Sequence, residues 1–355
     1  MTPQRDNPYP DRLAPLEELV NVLEVEDAAR RKLDRAVYGR IAAGLGSETT
    51  LRRNREFFDR MTFRRRVLVD VRKMDLSVDL FGQKLYTPIL VGPMARHQRV
   101  HAEGELATAQ GAGAAKTILI VSRDSSVPFD RIASRAAASV WYQCYPENDP
   151  ARLRDAVHGA VAAGAKAVCL TVGAPYEPFR EADHHNRSAQ DPARWPPHLR
   201  QRSNPQLSWD LLPRLREWAG VPVLLKGILS PEEARAAVDR GVSGIVVSNH
   251  GARVLDGAPA TIEILPQIAE AVGGRAPILI DGGFRRGTDI LKALALGAKA
   301  VLIGRPILWG LAAYGADGVR VVLEMLQSEL ALAMGLCGKP NLAALDRALV
   351  KIHRW

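Results

Sequence analysis

Residues 277–306, PILIDGGFRRGTDILKALALGAKAVLIGRP, decide the fold class. The apolar run PILIDGG is followed by TDILKALALG, whose apolar residues have helical spacing, and then by a second apolar run, AVLIGRP. Buried strands of a parallel sheet have such nearly continuous Val, Ile and Leu content, and a helix usually makes the crossover between them. The stretch therefore predicts a strand–helix–strand unit.

The same unit recurs between residues 87 and 306. The eight strand candidates are TPILVGPM (87–94), TILIVS (117–122), SVWYQCY (139–145), AVCLTVG (167–173), PVLLKG (222–227), GIVVSNH (244–250), PILIDGG (277–283) and AVLIGRP (300–306). Helical patterns separate them, as at 149–164, 230–241 and 288–297, and Ser230-Pro231 is a typical helix start. Eight alternating units predict an α/β protein with a single TIM (β/α)8 barrel. An open doubly wound sheet is the weaker alternative, because no GxGxxG motif follows the first strand.

The remaining segments are expected to extend this barrel within one domain, residues 1–355. Residues 1–86 form an N-terminal cap, helical over 16–60 and with a small strand layer over 62–86, and residues 87–337 form the barrel. The connection 174–206 after the fourth strand contains six prolines and no clear periodicity. Long loops of this kind are usually lids or disordered, so we expect a mobile segment over the catalytic face.

Composition excludes several classes of protein. The chain is 47% hydrophobic and 25% charged, which is typical of a globular protein with a large core. Its formal charge is +9, but no nucleic-acid-binding motif accompanies the excess, so no nucleic-acid partner is expected. No apolar run approaches the ~20 residues of a membrane span. The widely spaced Cys144, Cys169 and Cys337 are expected to be free thiols in a cytoplasmic protein.

Two glycine-rich loops predict a phosphate site. In such barrels the loops after the last two strands often bind phosphate at the C-terminal face. DGGFRRGTD (281–289) offers two glycines, Arg285 and a helix start, and GRP (304–306) adds Gly304 and Arg305. One Gly-Gly turn alone would indicate only a tight turn, whereas two such loops on adjacent strands, each with an arginine, favour phosphate binding.

Two further strand ends carry ionisable side chains. Lys226 ends the fifth strand in an otherwise apolar run, where a lysine is costly unless an anion lies beside it. SNHGARVLD (248–256) ends the sixth strand and contains His250 and Arg253. An imidazole can take a proton from a hydroxyl near neutral pH, and an arginine can hold a carboxylate with two hydrogen bonds.

The stretches SNHGARVLDGAPAT, VLLKG and DGGFRRGTDILKALALGAKAVLIGRP resemble the signatures of the FMN-dependent 2-hydroxy-acid oxidising family, which includes glycolate oxidase, lactate oxidase and mandelate dehydrogenase. The resemblance covers roughly residues 30–337 and implies FMN as the cofactor. It implies that His250 is the active-site base, with Tyr145 near the substrate hydroxyl, and that Arg253 and Arg180 bind the substrate carboxylate. The residues it implies around FMN are Pro93, Met94, Ala95, Ser122, Gln143, Thr171, Lys226, Ser248, Asp281, Gly283, Arg285, Gly304 and Arg305. It also implies a homo-oligomer, a tetramer in this family, and no metal site is predicted.

Three positions depart from the family pattern. VYGRIAAG places Arg40 where the family has the second tyrosine of a YDYYASG-like stretch, which adds a third cation near the substrate. TVGAP places Gly173 where the family has the aspartate that pairs with the catalytic histidine, and its loss should lower the pKa of the base. Asp124 replaces an aromatic residue. The flavin half is therefore intact and the substrate half is rewritten.

The predicted activity is that of an FMN-dependent (S)-2-hydroxy-acid oxidase or dehydrogenase. His250 would deprotonate the hydroxyl of a small anionic 2-hydroxy acid, while the α-hydrogen passes to flavin N5 as hydride; a carbanion route would use the same residues. The electron acceptor would be O2, a quinone or another carrier. One alternative is an FMN-binding member without hydroxy-acid turnover, or one that acts on a modified peptide or another substrate. Another is an enzyme like the type-2 isopentenyl diphosphate isomerases, against which the HGAR stretch argues.

Overall fold

The computed structural model describes residues 12–174, 181 and 208–353. Its strands are β1 Met61–Phe63, β2 Val78–Leu80, β3 Gln83–Leu85, β4 Ile89–Val91, β5 Leu119–Ser122, β6 Val140–Cys144, β7 Val168–Thr171, β8 Val223–Ile228, β9 Gly244–Val247, β10 Ile278–Ile280, β11 Ala300–Ile303 and β12 Val350–Ile352. Its helices are α1 Val22–Lys32, α2 Arg35–Ala42, α3 Thr49–Asp59, α4 Glu105–Ala114, α5 Phe129–Arg135, α6 Pro150–Ala162, α7 Leu211–Ala219, α8 Pro231–Asp239, α9 Thr261–Val272, α10 Gly287–Ala295 and α11 Arg305–Leu336.

Strands β4 to β11 close into a parallel barrel, in which β11 pairs with β4. These are the eight strands that the sequence predicts, so the TIM barrel is confirmed. Seven of the eight are buried at every position, because helices cover the outside and side chains fill the inside. Trp141 of β6 lies in that inner layer, packed among aliphatic side chains of the other strands.

Local chemistry explains where the predicted helices begin. Asp149 caps α6 by accepting a hydrogen bond from the backbone of Ala151, and Ser230 caps α8 by accepting one from Glu233. Both helices have proline at their first position, where a missing N–H costs nothing. Gly241 follows α8 with φ +77°, a conformation that favours glycine at the end of a helix.

Different parts of the N-terminal segment close the two ends of the barrel. The β2–β3 hairpin lies at the N-terminal end of the strands, where the Phe81 ring is 5.6 Å from the ring of Trp141. The α2–α3 segment lies at the opposite end, where the backbone N–H of Thr50 donates to Asp256 Oδ1 at 2.8 Å. The predicted strand layer is present, but β1 pairs antiparallel with the C-terminal strand β12, which the sequence did not reveal.

The connection after β7 was predicted to be mobile and to contribute Arg180 to the substrate site. Residues 175–180 and 182–207, Arg180 among them, lie outside the described residues.

In the part of the chain that is described, no helix is both long and apolar enough to cross a membrane. Cys144, Cys169 and Cys337 are buried free cysteines.

Candidate active site

Buried polar side chains crowd the C-terminal end of the barrel. Six successive strands, β5 to β10, each place a polar side chain within two residues of their last position: Ser122, Gln143, Thr171, Lys226, Ser248 and Asp281. The first five are no more than 4% exposed. Buried polar groups cost free energy unless they are hydrogen-bonded, so such a ring indicates a polar ligand or an internal network.

These polar side chains are partly hydrogen-bonded to one another. Lys226 Nζ lies 2.7 Å from Ser248 Oγ and 2.7 Å from Asp281 Oδ2, so Asp281 is the anion that a buried lysine requires. Gln143 Nε2 donates to Thr171 Oγ1 at 3.1 Å and to the carbonyl of Cys144. The predicted flavin contacts on β6 to β10 therefore form two hydrogen-bonded groups that hold one another in place.

One carboxylate oxygen of this ring has no hydrogen-bond partner among the described residues. Asp281 Oδ1 is buried and accepts no hydrogen bond from them, although the carboxylate is paired with Lys226 through Oδ2. A buried acceptor left unsatisfied costs about 1–3 kcal/mol, which a hydroxyl donor from a ligand would remove. A polyhydroxylated chain such as the ribityl of FMN supplies that donor, so the residues present fit this cofactor.

Packing within the protein accounts for one glycine of the loop after β10. Gly282 and Gly283 have positive φ, and a Cβ on Gly283 would collide with the backbone of Asn54 on α3. Packing against α3 thus requires glycine at position 283, whether or not a ligand binds in the site. The adjacent start of α10 is also occupied, because Asp289 Oδ2 accepts hydrogen bonds from the backbone of Arg285 and Arg286.

The side chain of Arg285 could nevertheless bind an anion. Its guanidinium is largely buried and forms an ion pair with Glu26 of α1 at 3.7 Å, and its Nη1 donates a hydrogen bond to the carbonyl of Phe284. Burial lowers the pKa of Arg285, and the charge of Glu26 opposes that shift. An arginine held this way gains from a phosphate, while Glu26 competes for it.

The second predicted phosphate loop brings Met94 and Gly304 together. Met94 Sδ would lie 3.8 Å from a Cβ placed on Gly304, an ordinary contact, so the β4 and β11 ends are neighbours. Pro93 and Met94 are half-buried and Ala95 is exposed. Gly304 precedes α11, which has no side-chain cap; Pro306 lacks an N–H and the N–H of Ile307 donates to the carbonyl of Gly304, so this first turn offers an anion few backbone donors.

The side chain of Arg305 is hydrogen-bonded to backbone carbonyls of the protein. Its Nε donates to the carbonyl of Ile41 at 2.8 Å, and its Nη2 donates to the carbonyls of Ala43 and Gly251, each at 3.0 Å. Burial lowers the pKa of Arg305 to about 10, with the charge of Arg285 acting in the same direction. The guanidinium thus spans two backbone segments of the protein.

His250 lies in a strained turn after β9. His250, Gly251 and Ala252 have φ of +56°, +64° and +63°, which costs about 1–3 kcal/mol for each non-glycine residue. Hydrogen bonds hold the turn: the N–H of His250 donates to Ser248 Oγ, and that of Ala252 donates to Asn249. Such strain persists where the surroundings fix it, and it is common at functional sites.

Arg253 contacts the end of α2, the helix that carries Arg40. Arg253 Nη1 donates to the carbonyls of Arg40 at 2.9 Å and Ala43 at 2.8 Å, so the helix that carries Arg40 ends against the His250 turn. Tyr145 is half-buried and follows β6 directly, and Asp124 is exposed beyond β5. The structure thus joins Arg40, Arg253 and the His250 turn.

Gly173 faces another glycine at the end of β7. A Cβ on Gly173 would lie 3.0 Å from Gly227 Cα and 3.2 Å from its carbonyl oxygen. In turn, a Cβ on Gly227, which has φ +111°, would lie 2.6 Å from the nitrogen of Gly173. The two backbones pack closely where the family carries an aspartate.

Three supporting residues, Asn54, Asn249 and Glu26, were not recognised in the sequence. Asn249 and Asn54 exchange amide hydrogen bonds of 3.1 and 2.8 Å, which tie the His250 turn to α3. Glu26 lies beside Arg285. In the sequence, an asparagine among the charged residues of α3 was the only sign of the Asn54–Asn249 pair. Nothing in the sequence distinguishes Glu26, because it lies in an ordinary amphipathic helix.

Comparison with known proteins agrees with this geometry. Residues 29–352 match the family model described as FMN-dependent dehydrogenase. The chain is 42% identical over 358 residues to L-lactate oxidase of Nostoc sp., covering 94% of this chain and 98% of the relative. It is 40% identical over 356 residues to glycolate oxidase 1 of Oryza sativa subsp. indica, covering 93% and 95%.

Solved structures give the same result. The crystal structure of mandelate oxidase with (S)-2-phenylpropionate superimposes with a TM-score of 0.89 at 39% sequence identity, covering 95% of this chain and 100% of that one. A family match over most of the chain, together with relatives of 40–42% identity, identifies the family and its cofactor, FMN. The chain belongs to the FMN-dependent dehydrogenase family.

Proposed function

We propose that this protein oxidises an (S)-2-hydroxy acid to the 2-oxo acid, with O2 as the acceptor. The observation that carries the proposal is the junction of the strained His250 turn with Arg253 and the end of α2, next to Ser248 of the buried polar ring, which accepts a hydrogen bond from the N–H of His250. Relatives named as lactate, glycolate and mandelate oxidases support the reaction class. When bound, FMN would supply the two-electron acceptor for oxidation of the alcohol carbon.

The chain's own residues would divide the remaining work. His250 would take the proton of the substrate hydroxyl, and Tyr145 would orient that hydroxyl. Arg253 and Arg180 would hold the carboxylate, as the family resemblance implies. Lys226 would place positive charge at the N1/O2 edge of the flavin ring. The carboxylate of Asp281, with Oδ2 2.7 Å from Lys226 Nζ, would partly neutralise that charge.

The cofactor would lie across the strand ends. Pro93, Met94 and Ala95 would meet the ring from the β4 side, and Ser122, Gln143, Thr171 and Ser248 from β5, β6, β7 and β9. Asp281 would accept from the ribityl chain through its unpartnered oxygen. Arg285, the backbone of Gly283 and the start of α11 at Gly304 would receive the phosphate.

The substrate is proposed to be bulkier or more acidic than lactate. Arg40 adds a cation on the last turn of α2, whose end is bonded to Arg253, and Gly173 removes an anion from the end of β7. Both changes raise the positive charge around the substrate, so a second carboxylate or a larger anionic group would gain most. A homotetramer, a single domain over the whole chain and a cytoplasmic location stay predictions.

Steady-state turnover tests the proposal. FMN-loaded protein is given each enantiomer of a bulky hydroxy acid, a hydroxy diacid and lactate, and both the 2-oxo acid and hydrogen peroxide are quantified. We expect equal amounts of the two products, from the (S) enantiomer and most rapidly from the diacid or bulky acid. Absence of 2-oxo acid from every compound, with FMN bound, would favour the alternative of a family member without hydroxy-acid turnover.

A further inference from the structure

A buried carboxylate connects the loops that follow β4 and β5. Glu105 is the first residue of α4 and is 1% exposed. Its Oε1 accepts a hydrogen bond from the backbone N–H of His97 at 3.0 Å and another from the backbone N–H of Ser126 at 2.8 Å. His97 lies on the loop after β4 and Ser126 lies on the loop after β5, so a single oxygen holds both loops.

His97 packs beside the same carboxylate. Its side chain is buried, with Nδ1 2.8 Å from Thr108 Oγ1 of α4. Burial lowers the pKa of His97, while the charge of Glu105 and the carbonyl of Met94 oppose that shift. Glu105 Oε2 and His97 Nε2 are buried and make no hydrogen bond to the described residues. An apolar pair would cost less to bury here, which favours a role for these side chains beyond stability.

Two further hydrogen bonds join the same loops. The N–H of Arg96 donates to the carbonyl of Asp124 at 3.2 Å, and the N–H of Gln98 donates to Ser126 Oγ at 3.2 Å. Arg96 has φ +57°, a left-handed conformation that is unfavourable for a residue other than glycine and persists where surrounding contacts fix it. The β5 loop thus holds the β4 loop in a strained shape, and Glu105 is bonded to both.

We propose that Glu105 is a positioning residue for the flavin ring, acting through the backbone N–H groups of His97 and Ser126. In the proposed function, residues 93–95 on the β4 loop and Ser122 at the end of β5 contact the ring. The carboxylate supports both loops and keeps these contacts at one separation. The effect on the ring rests on the proposed function, whereas the coupling of the two loops rests on the hydrogen bonds of Glu105 alone.

Glu105→Asp isolates the placement of the acceptor. It keeps the charge but withdraws the carboxylate by one methylene, so that no oxygen reaches both N–H groups at hydrogen-bond distance. Glu105→Gln keeps an acceptor oxygen in the original place and should restore wild-type behaviour. Glu103→Asp is the matched control, because Glu103 is an exposed glutamate in the same segment. In FMN-loaded Glu105→Asp, we expect backbone amides of residues 95–98 and 123–127 to exchange hydrogen about tenfold faster or more, with changes within about threefold in the other two variants.

Flavin binding and reduction give the second readout. Glu105→Asp should weaken the binding of FMN and of riboflavin by the same factor, about tenfold, because both ligands carry the ring, whereas Arg285→Ala should weaken FMN alone. With a hydroxy acid that reduces the wild-type flavin, Glu105→Asp should lower the limiting rate of anaerobic reduction about tenfold and leave the apparent substrate Kd within about threefold, because the ring is displaced and the substrate is not. Glu105→Gln should restore the rate.

Two results would overturn the proposal. One is unchanged hydrogen exchange of both loops in Glu105→Asp, and the other is a loss of FMN affinity in that variant with riboflavin binding intact. Neither measurement requires turnover of a hydroxy acid, so the failures of the two proposals are distinguishable.

Discussion

Returning a carboxylate to position 173 tests how the base is tuned. In Gly173→Asp, the new side chain would supply the anion that the family places beside the catalytic histidine. An opposite charge within about 4–6 Å raises the pKa of an imidazole by about 1–3 units, because it stabilises the imidazolium. We therefore expect the pKa of His250 to rise by about one unit, equivalent to about 1.4 kcal/mol.

The substitution also has a steric cost that the structure specifies. The new Cβ would lie 3.0 Å from Gly227 Cα and 3.2 Å from its carbonyl oxygen, and both are backbone atoms that cannot rotate away. Overpacking of this kind costs about 1–3 kcal/mol of stability. Gly173→Ala introduces the same Cβ without the charge, so it is the matched control for both stability and activity.

The assay is the pH dependence of kcat/KM for FMN-loaded wild type and both variants. Neutral His250 accepts the proton, so activity rises with pH through the pKa of the free enzyme's base. The acid limb of Gly173→Asp should lie about one pH unit above that of Gly173→Ala, while urea unfolding shows similar losses of stability in both. Coincident limbs in the two folded variants would show that residue 173 does not influence His250.

Three further predictions concern the described structure. Arg285→Ala should weaken FMN binding by about 10–100-fold, because charge-assisted hydrogen bonds contribute about 1.5–3 kcal/mol, whereas Glu26→Gln should strengthen it; unchanged Kd values from fluorescence titration would place the phosphate elsewhere. Burial lowers the pKa of His97 below 6.5, so below pH 6.5 the unfolded chain binds a proton that the folded chain does not; His97→Gln should lose up to about 2 kcal/mol less stability than wild type between pH 7 and pH 5, by urea unfolding. Burial raises the pKa of Cys169 to about 12 and raises that of Cys144, so neither thiol should react with a disulfide reagent at pH 8 before unfolding, and rapid native labelling of either would contradict their burial.

The barrel could be predicted because its strands are buried on both faces. Runs such as AVCLTVG contain almost only apolar residues, and the observed β7, Val168–Thr171, is the centre of that run. The antiparallel pair of β1 and β12 could not be predicted, since each strand has three residues and its partner lies almost 300 positions away along the chain. Pairing of that kind is fixed by tertiary packing rather than by local pattern.

The candidate site, like the fold, could be predicted from the sequence only in part. Sequence identifies which strand ends carry polar residues, because strand ends of a parallel barrel converge on one face. It does not give the direction of a long side chain, so the hydrogen bonds of Arg305 to the carbonyls of residues 41, 43 and 251 could not be predicted. Nor does it reveal that Gly283 is required by the backbone of Asn54, which belongs to a distant helix.

Anaerobic reduction of bound FMN tests the central claim most directly. FMN-loaded wild type and His250→Asn are mixed without O2 with (S)-lactate, glycolate, a bulky (S)-2-hydroxy acid and a hydroxy diacid, and the flavin absorbance is followed. The proposed function predicts that the wild-type flavin is bleached rapidly by the diacid or bulky acid, slowly by lactate and glycolate, and by none of them in His250→Asn, which still binds FMN and is reduced by dithionite. A wild-type flavin that dithionite reduces and no hydroxy acid bleaches would contradict the account.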